Sequence, residues 1–228
     1  MSFSCYPAWS RFSTTLAKGV AANAVEYGPA EQQVMLAGIE AILAGPTQAL
    51  AATVDFSGRA RLLDVGCGTG SWALAVLERN PEMRATLVDV PAATGVTQAR
   101  VAESGLADRV AVVSADALTD VLPEGHDVVM VNNLVHYFAA ENACRLLSRV
   151  ADVTDAGTLL LLADFWTDAT HTEPVAAALM AGEFAAQVEE VDVYSVDEIR
   201  GWLAGTGWTF VAHQPLAGPQ SLVVAERR

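Results

Sequence analysis

The chain has 228 residues, 52% hydrophobic and 18% charged, which suits one globular domain with a complete core. Thirteen Lys and Arg against 27 Asp and Glu leave a formal charge of −14 with no basic cluster, which argues against a nucleic-acid partner. No apolar run is long enough to cross a bilayer, the first residues lack a basic leader, and Cys5, Cys67 and Cys144 have no zinc-ligand spacing, so the expectation is a cytoplasmic protein without membrane or metal.

Residues 1–58 read as a helical segment. Pro29 suits the first turn of a helix, and Met35, Ile39, Ile42 and Leu43 recur at helical spacing. Gly45-Pro46 is expected to stop that helix, with Thr47 capping a second, short one that carries Leu50 and Val54. From Arg61 onward apolar runs alternate with amphipathic stretches, which predicts a parallel sheet with helices on both faces over 59–228. Strands are expected near 61–65, 84–89, 110–114, 127–132 and 157–163. A helix burying Ala143, Leu146, Leu147 and Val150 falls between the last two. Ser195 to Glu198 is a capping-box sequence ahead of Ile199, Trp202 and Leu203, and Gly205 and Gly207 end that helix. Two final strands, near 207–213 and 220–225, are joined by Pro215 to Pro219. So short a link predicts an antiparallel hairpin at the sheet edge.

The most telling stretch joins the first strand to its helix: Leu62-Leu63-Asp64-Val65-Gly66-Cys67-Gly68-Thr69-Gly70. Nineteen residues further on, a second apolar strand ends in Asp89. Strand, glycine turn, helix and acid-ended strand make the front half of a nucleotide-cofactor site. Dinucleotide folds want G-x-G-x-x-G, but here the third glycine comes one residue early and Ser71 stands in its place. Asp64, two residues before Gly66, would repel a pyrophosphate and suits a cationic ligand. That describes S-adenosyl-L-methionine, which carries an ammonium and a sulfonium and no phosphate. Gly66, Gly68 and Gly70 would let the backbone approach it. Asp89, with Val90 beside it, would accept from the ribose hydroxyls. Asp116 reads either as the acceptor of the adenine amino group or as a turn-forming Asp. Ala117 and Asn132 complete the expected cofactor contacts. Five parallel strands plus a terminal hairpin is the class I methyltransferase form of the Rossmann-like doubly wound sheet, which supports the same cofactor independently.

His136 lies just past the fourth strand, at the carboxyl end where ligands bind in such sheets. Methyl transfer from a sulfonium leaves a neutral thioether, so the acceptor needs only deprotonation and alignment. An imidazole can take the proton of a phenol or enol; a histidine packed at a helix start would look the same in sequence. His126, His171 and His213 read as structural. Trp9, Tyr6, Trp72, Met180 and Phe184 are candidate walls for an aromatic acceptor or plain core residues.

On these residues the chain resembles the small-molecule O-methyltransferases of plants and bacteria, a family that includes acetylserotonin and bacterial polyketide methyltransferases. The resemblance runs over about residues 30–226 and is carried by the glycine turn, Val88 to Pro91, Gly105 to Val110, Asn133 to Phe138 and Tyr194 to Ile199. It implies His136 as general base and a small hydroxylated, aromatic or polyketide-like acceptor. Three features depart from the family. Its N-terminal dimerisation domain has no counterpart here, which implies a homo-oligomer or a separate partner chain to supply that wall. Tyr137 stands where many members have Asp, and Cys67 replaces a glycine. The alternative is a methyltransferase-fold protein without methyl transfer, a rearrangement catalyst or a partner subunit. A dinucleotide oxidoreductase is disfavoured by Ser71 and the hairpin.

Overall fold

The computed structural model describes residues 9–10, 12–18, 29–187 and 192–228. Tyr6 and the Met35 side chain lie outside the description. Helices α1 (Phe12–Lys18) and α2 (Pro29–Thr53) lead into β1 (Arg61–Val65), α3 (Ser71–Arg79), β2 (Arg84–Asp89), α4 (Pro91–Glu103) and β3 (Val110–Ser114). There follow β4 (Val128–Met130), α5 (Ala140–Asp152), β5 (Leu159–Asp164), α6 (Val175–Gln187), α7 (Val196–Gly205), β6 (Trp208–Pro215) and β7 (Ser221–Arg227).

The strands form one sheet in the order β3-β2-β1-β4-β5-β7-β6. Strands β1 to β5 pair in parallel, and β7 runs antiparallel to both β5 and β6. The inner strands are apolar on both faces because both are covered. Leu63, Val65, Val129, Leu160, Leu162 and Val223 meet Leu146 and Leu147 of α5 and Ile199 and Leu203 of α7. Their neighbours Leu62, Val128, Met130, Leu161 and Leu222 face the other way, onto Trp72 to Leu77 and onto Leu50 of α2. The sheet order reverses at β1, between β2 and β4, which opens a crevice at the carboxyl ends of these strands.

The N-terminal segment corrects one expectation. Gly45-Pro46 does not stop a helix; α2 runs unbroken through both. An interior proline removes a helix hydrogen bond and costs about 3 kcal/mol. Burial of Pro46, Thr47 and Leu50 where α2 packs on α3 offsets that cost. The Thr47 hydroxyl donates to the Leu43 carbonyl at 2.9 Å, inside the turn that Pro46 disturbs. Gly45 has a packing reason of its own. A Cβ there would sit 3.0 Å from Ala217 Cβ, so glycine lets the hairpin turn approach. The capping box is formed, with Ser195 Oγ accepting from the Glu198 amide and Glu198 Oε2 from the Ser195 amide.

Trp208 anchors the hairpin. It is fully buried against α5, and its Nε1 donates to the Leu147 carbonyl at 3.1 Å. Trp208→Ala is expected to cost about 3–5 kcal/mol, read as a lowered denaturation midpoint.

Candidate functional site

The turn after β1 has three glycines in the left-handed region, Gly66 (φ 71°), Gly68 (φ 54°) and Gly70 (φ 80°). Space demands glycine as well as conformation at two of them. A Cβ on Gly66 would fall 2.5 Å from Leu134 Cδ2, and one on Gly70 2.9 Å from Leu87 Cδ2. The turn is pinned to β2, since the Gly66 and Cys67 amides both donate to the Val88 carbonyl. The Thr97 hydroxyl of α4 donates to the Gly68 carbonyl at 2.6 Å.

Asp89 closes the turn. Its Oδ2 accepts from the Gly68 amide at 2.7 Å and its Oδ1 from the Val90 amide at 2.8 Å. Each carboxylate oxygen keeps further lone-pair capacity for ligand hydroxyls. Asp64 lies beneath, 1% exposed, on the face of β1 that meets α3. Burial, and then the neighbouring Asp89 charge, push its pKa up to about 7; the Ala73 amide donates to it and pulls the other way. Its Oδ2 has no partner among the described residues. A buried carboxylate short of a donor suits a cationic group, which is the chemistry of a methionine ammonium. Cys67 is a buried thiol whose pKa is raised by burial and by Asp64 and Asp89, so it stays protonated.

Glu40 is a residue that the sequence did not reveal. It reaches from α2 over the start of α3, where both its oxygens accept from Ser71 Oγ, at 2.8 and 2.6 Å. It also accepts from the Thr69 hydroxyl, and it pairs with Arg100 of α4 at 2.9 Å. A carboxylate beside a helix N-terminus is favourably placed. The N-terminal helix therefore holds one side of the glycine turn. No local pattern signals this, because Glu40 looks like any solvated acid on an amphipathic helix.

At the end of β3, Asp116 is a turn-former. Its Oδ1 accepts from the Leu118 amide at 2.8 Å, and its carbonyl accepts from Thr119 and Asp120. The turn adjoins Asp89, whose carbonyl accepts from the Ala115 amide. The Ala117 carbonyl accepts from Arg149. Asn132 binds β5 through Oδ1, which accepts from the Ala163 amide at 2.7 Å, so its carboxamide acts as a strand tie.

His136 sits in a short 3-10 turn, Val135–Tyr137, and is 4% exposed. Its Nδ1 lies 2.7 Å from Asp164 Oδ1 at the end of β5. The Phe165 amide donates to the same oxygen at 2.9 Å, while Asp164 Oδ2 has no partner among the described residues. Phe184 of α6 stacks flat on the imidazole at 4.2 Å and 3°, and the Tyr137 ring lies 4.3 Å away. Met180 packs near Phe184 in a small cluster with Phe165, Ala177 and Val193. Asp164 was missed from sequence, although it ends an apolar strand just as Asp89 does. Trp9 is not on the histidine. It packs at a tilt on Phe12 and covers Gly182, on which a Cβ would lie 3.1 Å from the indole, and it donates to Glu183. Trp72 is a core residue of α3.

A family model described as an O-methyltransferase domain matches residues 12–209. Among curated proteins, the 3-hydroxy-5-methyl-1-naphthoate 3-O-methyltransferase of Streptomyces sahachiroi is 30% identical over 75% of this chain and 49% of its own length. The tetracenomycin polyketide synthesis 8-O-methyl transferase TcmO of Streptomyces glaucescens is 24% identical over 97% of this chain and 67% of its own. Among solved structures, the mitomycin 7-O-methyltransferase MmcR superposes with a TM-score of 0.85 at 25% identity, over 98% of this chain and 68% of that one. The chain thus spans about half the length of the first of these relatives.

The raised pKa of Asp64 carries a prediction. The folded chain keeps a proton that the unfolded chain releases above about pH 4, so ionising Asp64 lowers stability as pH rises from there to about 7. Asp64→Asn should therefore raise the melting temperature relative to the parent at pH 8 and lose that advantage near pH 4. An ammonium ligand favours the ionised form, so calorimetric affinity for S-adenosylhomocysteine should strengthen as pH climbs through 7 in the parent and stay flat in the variant.

Proposed function

The chain belongs to the O-methyltransferase domain family, and we propose that it methylates a hydroxyl of a small aromatic or polyketide-like natural product with S-adenosylmethionine as donor. The observation that carries this reading is the buried His136–Asp164 pair at the carboxyl edge of β4 and β5, beside a glycine turn with an under-coordinated Asp64. The relatives named above, which act on naphthoate and polyketide hydroxyls by their names, support the acceptor class.

The residues fit the donor. Asp64 would take its ammonium, the Gly66 to Gly70 backbone its amino-acid end, and Asp89 its ribose. The Asp116 turn would border the adenine. S-adenosylmethionine supplies an electrophilic methyl group. The chain's own task is to deprotonate and align the acceptor. A carboxylate only accepts hydrogen bonds, so Asp164 holds the His136 proton on Nδ1 and leaves the Nε2 lone pair free. The acceptor proton passes to Nε2, and the resulting imidazolium is stabilised by Asp164. Phe184, stacked on the ring, restricts its rotation and keeps that lone pair aimed. The histidine itself is buried, packed against Phe165, Tyr137 and Phe184.

Labelled methyl donor offered with a panel of hydroxylated naphthoates and polyketides tests the proposal. Cofactor binding without turnover on any acceptor would favour the alternative, a methyltransferase fold without methyl transfer. On an accepted substrate, His136→Ala should lower kcat by about 10²–10⁴-fold with S-adenosylhomocysteine affinity unchanged. Asp164→Asn should lower kcat by up to about 10⁴-fold, the loss when Asn replaces the carboxylate that fixes a catalytic histidine's tautomer. Near-parental turnover of His136→Ala would remove the base role.

In the cofactor crevice, Asp89→Ala should weaken S-adenosylhomocysteine binding by about 1.5–3 kcal/mol, the range for hydrogen bonds to a charged group. A parental isotherm from this variant would take Asp89 out of the site.

A further inference from the structure

The amino ends of β1, β2 and β3 form the edge of the sheet opposite the glycine turn. There Arg61, Arg84, Arg109, Thr86 and His126 line a cavity of about 190 Å³. In a chain of charge −14, three of the 13 basic side chains meet at this one place. None of the three forms an ion pair among the described residues. Arg109 is committed to the backbone: its Nη1 donates to the Asn80, Pro81 and Met83 carbonyls and its Nη2 to that of Leu77. Arg84 donates through Nη2 to the Asp108 carbonyl at 2.6 Å. The Arg61 guanidinium donates to no group among the described residues. Asp127, which follows His126, has its carboxylate bound by the Ala60 and Arg61 amides at 2.8 and 3.1 Å.

His126 adds a second observation. It is 7% exposed, its Nε2 lies 3.0 Å from Thr86 Oγ1, and its Nδ1 has no partner among the described residues. Burial, and then the Arg61 charge, hold its pKa below the usual histidine range. The Asp127 charge pulls the other way without reversing the shift, so the Arg61 charge is felt at His126.

We propose that this cavity binds a phosphate group, either the free ion or a small phosphomonoester. Guanidinium forks donate in pairs to tetrahedral oxyanions, and Arg61 brings an uncommitted fork while Arg84 brings its remaining donors. With the His126 Nε2–H donating to its oxygen, the Thr86 hydroxyl is left to supply one neutral donor beside them. A cavity of about 190 Å³ admits such a group, whereas sites for larger ligands occupy roughly 300–1,000 Å³. The methyl donor carries no phosphate and belongs to the other edge of the sheet, so this site stands apart from the proposed methyl transfer.

Inorganic phosphate titrated calorimetrically into the full chain, at low ionic strength matched with chloride, tests the site. Saturable binding at one site is expected. Arg61→Gln and Arg84→Gln, both at exposed positions, should each weaken it by about tenfold or more. Arg200→Gln, on α7 and paired with Asp197, should leave it unchanged. The His126 ring resonances should shift with the same midpoint as the calorimetric isotherm, which keeps the test intact if one arginine variant fails to fold. Tighter binding of glycerol phosphate than of phosphate would assign a phosphomonoester, and equal binding the free ion. Absence of saturable binding, parental affinity in both arginine variants, or an equal loss in Arg200→Gln would overturn the proposal.

Discussion

A carboxylate buried in the carboxyl end of a parallel sheet is the constraint around which this molecule is arranged. Asp64 shares its face of β1 with Leu62, under α3, where water does not reach it. Two more acids, Asp89 and Asp164, end β2 and β5 along the same edge. The Asp89 charge disfavours the ionised form of Asp64. The chain answers with backbone donors: the Ala73 amide for Asp64, Gly68 and Val90 for Asp89, and Phe165 for Asp164. These donors leave one oxygen each on Asp64 and Asp164 without a partner among the described residues.

The helices fix the geometry of that edge from both sides. Glu40 of α2 ties Thr69 and Ser71 to Arg100 of α4, so the glycine turn is clamped between two helices as well as pinned to β2. On the other side, α6 lays Phe184 on His136, while the chain beyond α6 returns to give the Asp192 amide to the His136 carbonyl at 3.2 Å. An imidazole stacked on one face and bonded at Nδ1 has little freedom left. The same crowding that buries His136 explains why it reads in sequence as a packed histidine as easily as a base.

Some of this was legible and some was not, for reasons that differ by residue. The strands were readable because the inner strands are short, mostly apolar runs between polar or glycine-rich turns, interrupted in β1 by Asp64. The capping box at Ser195 was readable because its partners lie three residues apart. Pro46 misled because local propensity argues for a break, while its burial against α3 outweighs a lost hydrogen bond. Glu40 and Asp164 escaped because their partners lie about thirty residues or more away, with no spacing rule to link them. Asp164 alone left a trace, as an acid that closes an apolar strand.

By itself the sequence determined the strands, their alternation with helices beyond Arg61 and the conformation of the glycine turn, because these depend on short-range periodicity and on backbone angles that glycine adopts cheaply. Which hairpin strand lies at the edge was not fixed this way: β7, with Leu222 to Ala225 buried on both faces, pairs with β5, while β6 is buried on one face only. Only the tertiary structure decided which acids share a site, which histidine has a buried carboxylate partner, and which arginines gather without one. Those are questions of distance between side chains far apart in the chain, and they are answered when the sheet order brings β1, β4 and β5 together at one edge and leaves Arg61, Arg84 and Arg109 at the other.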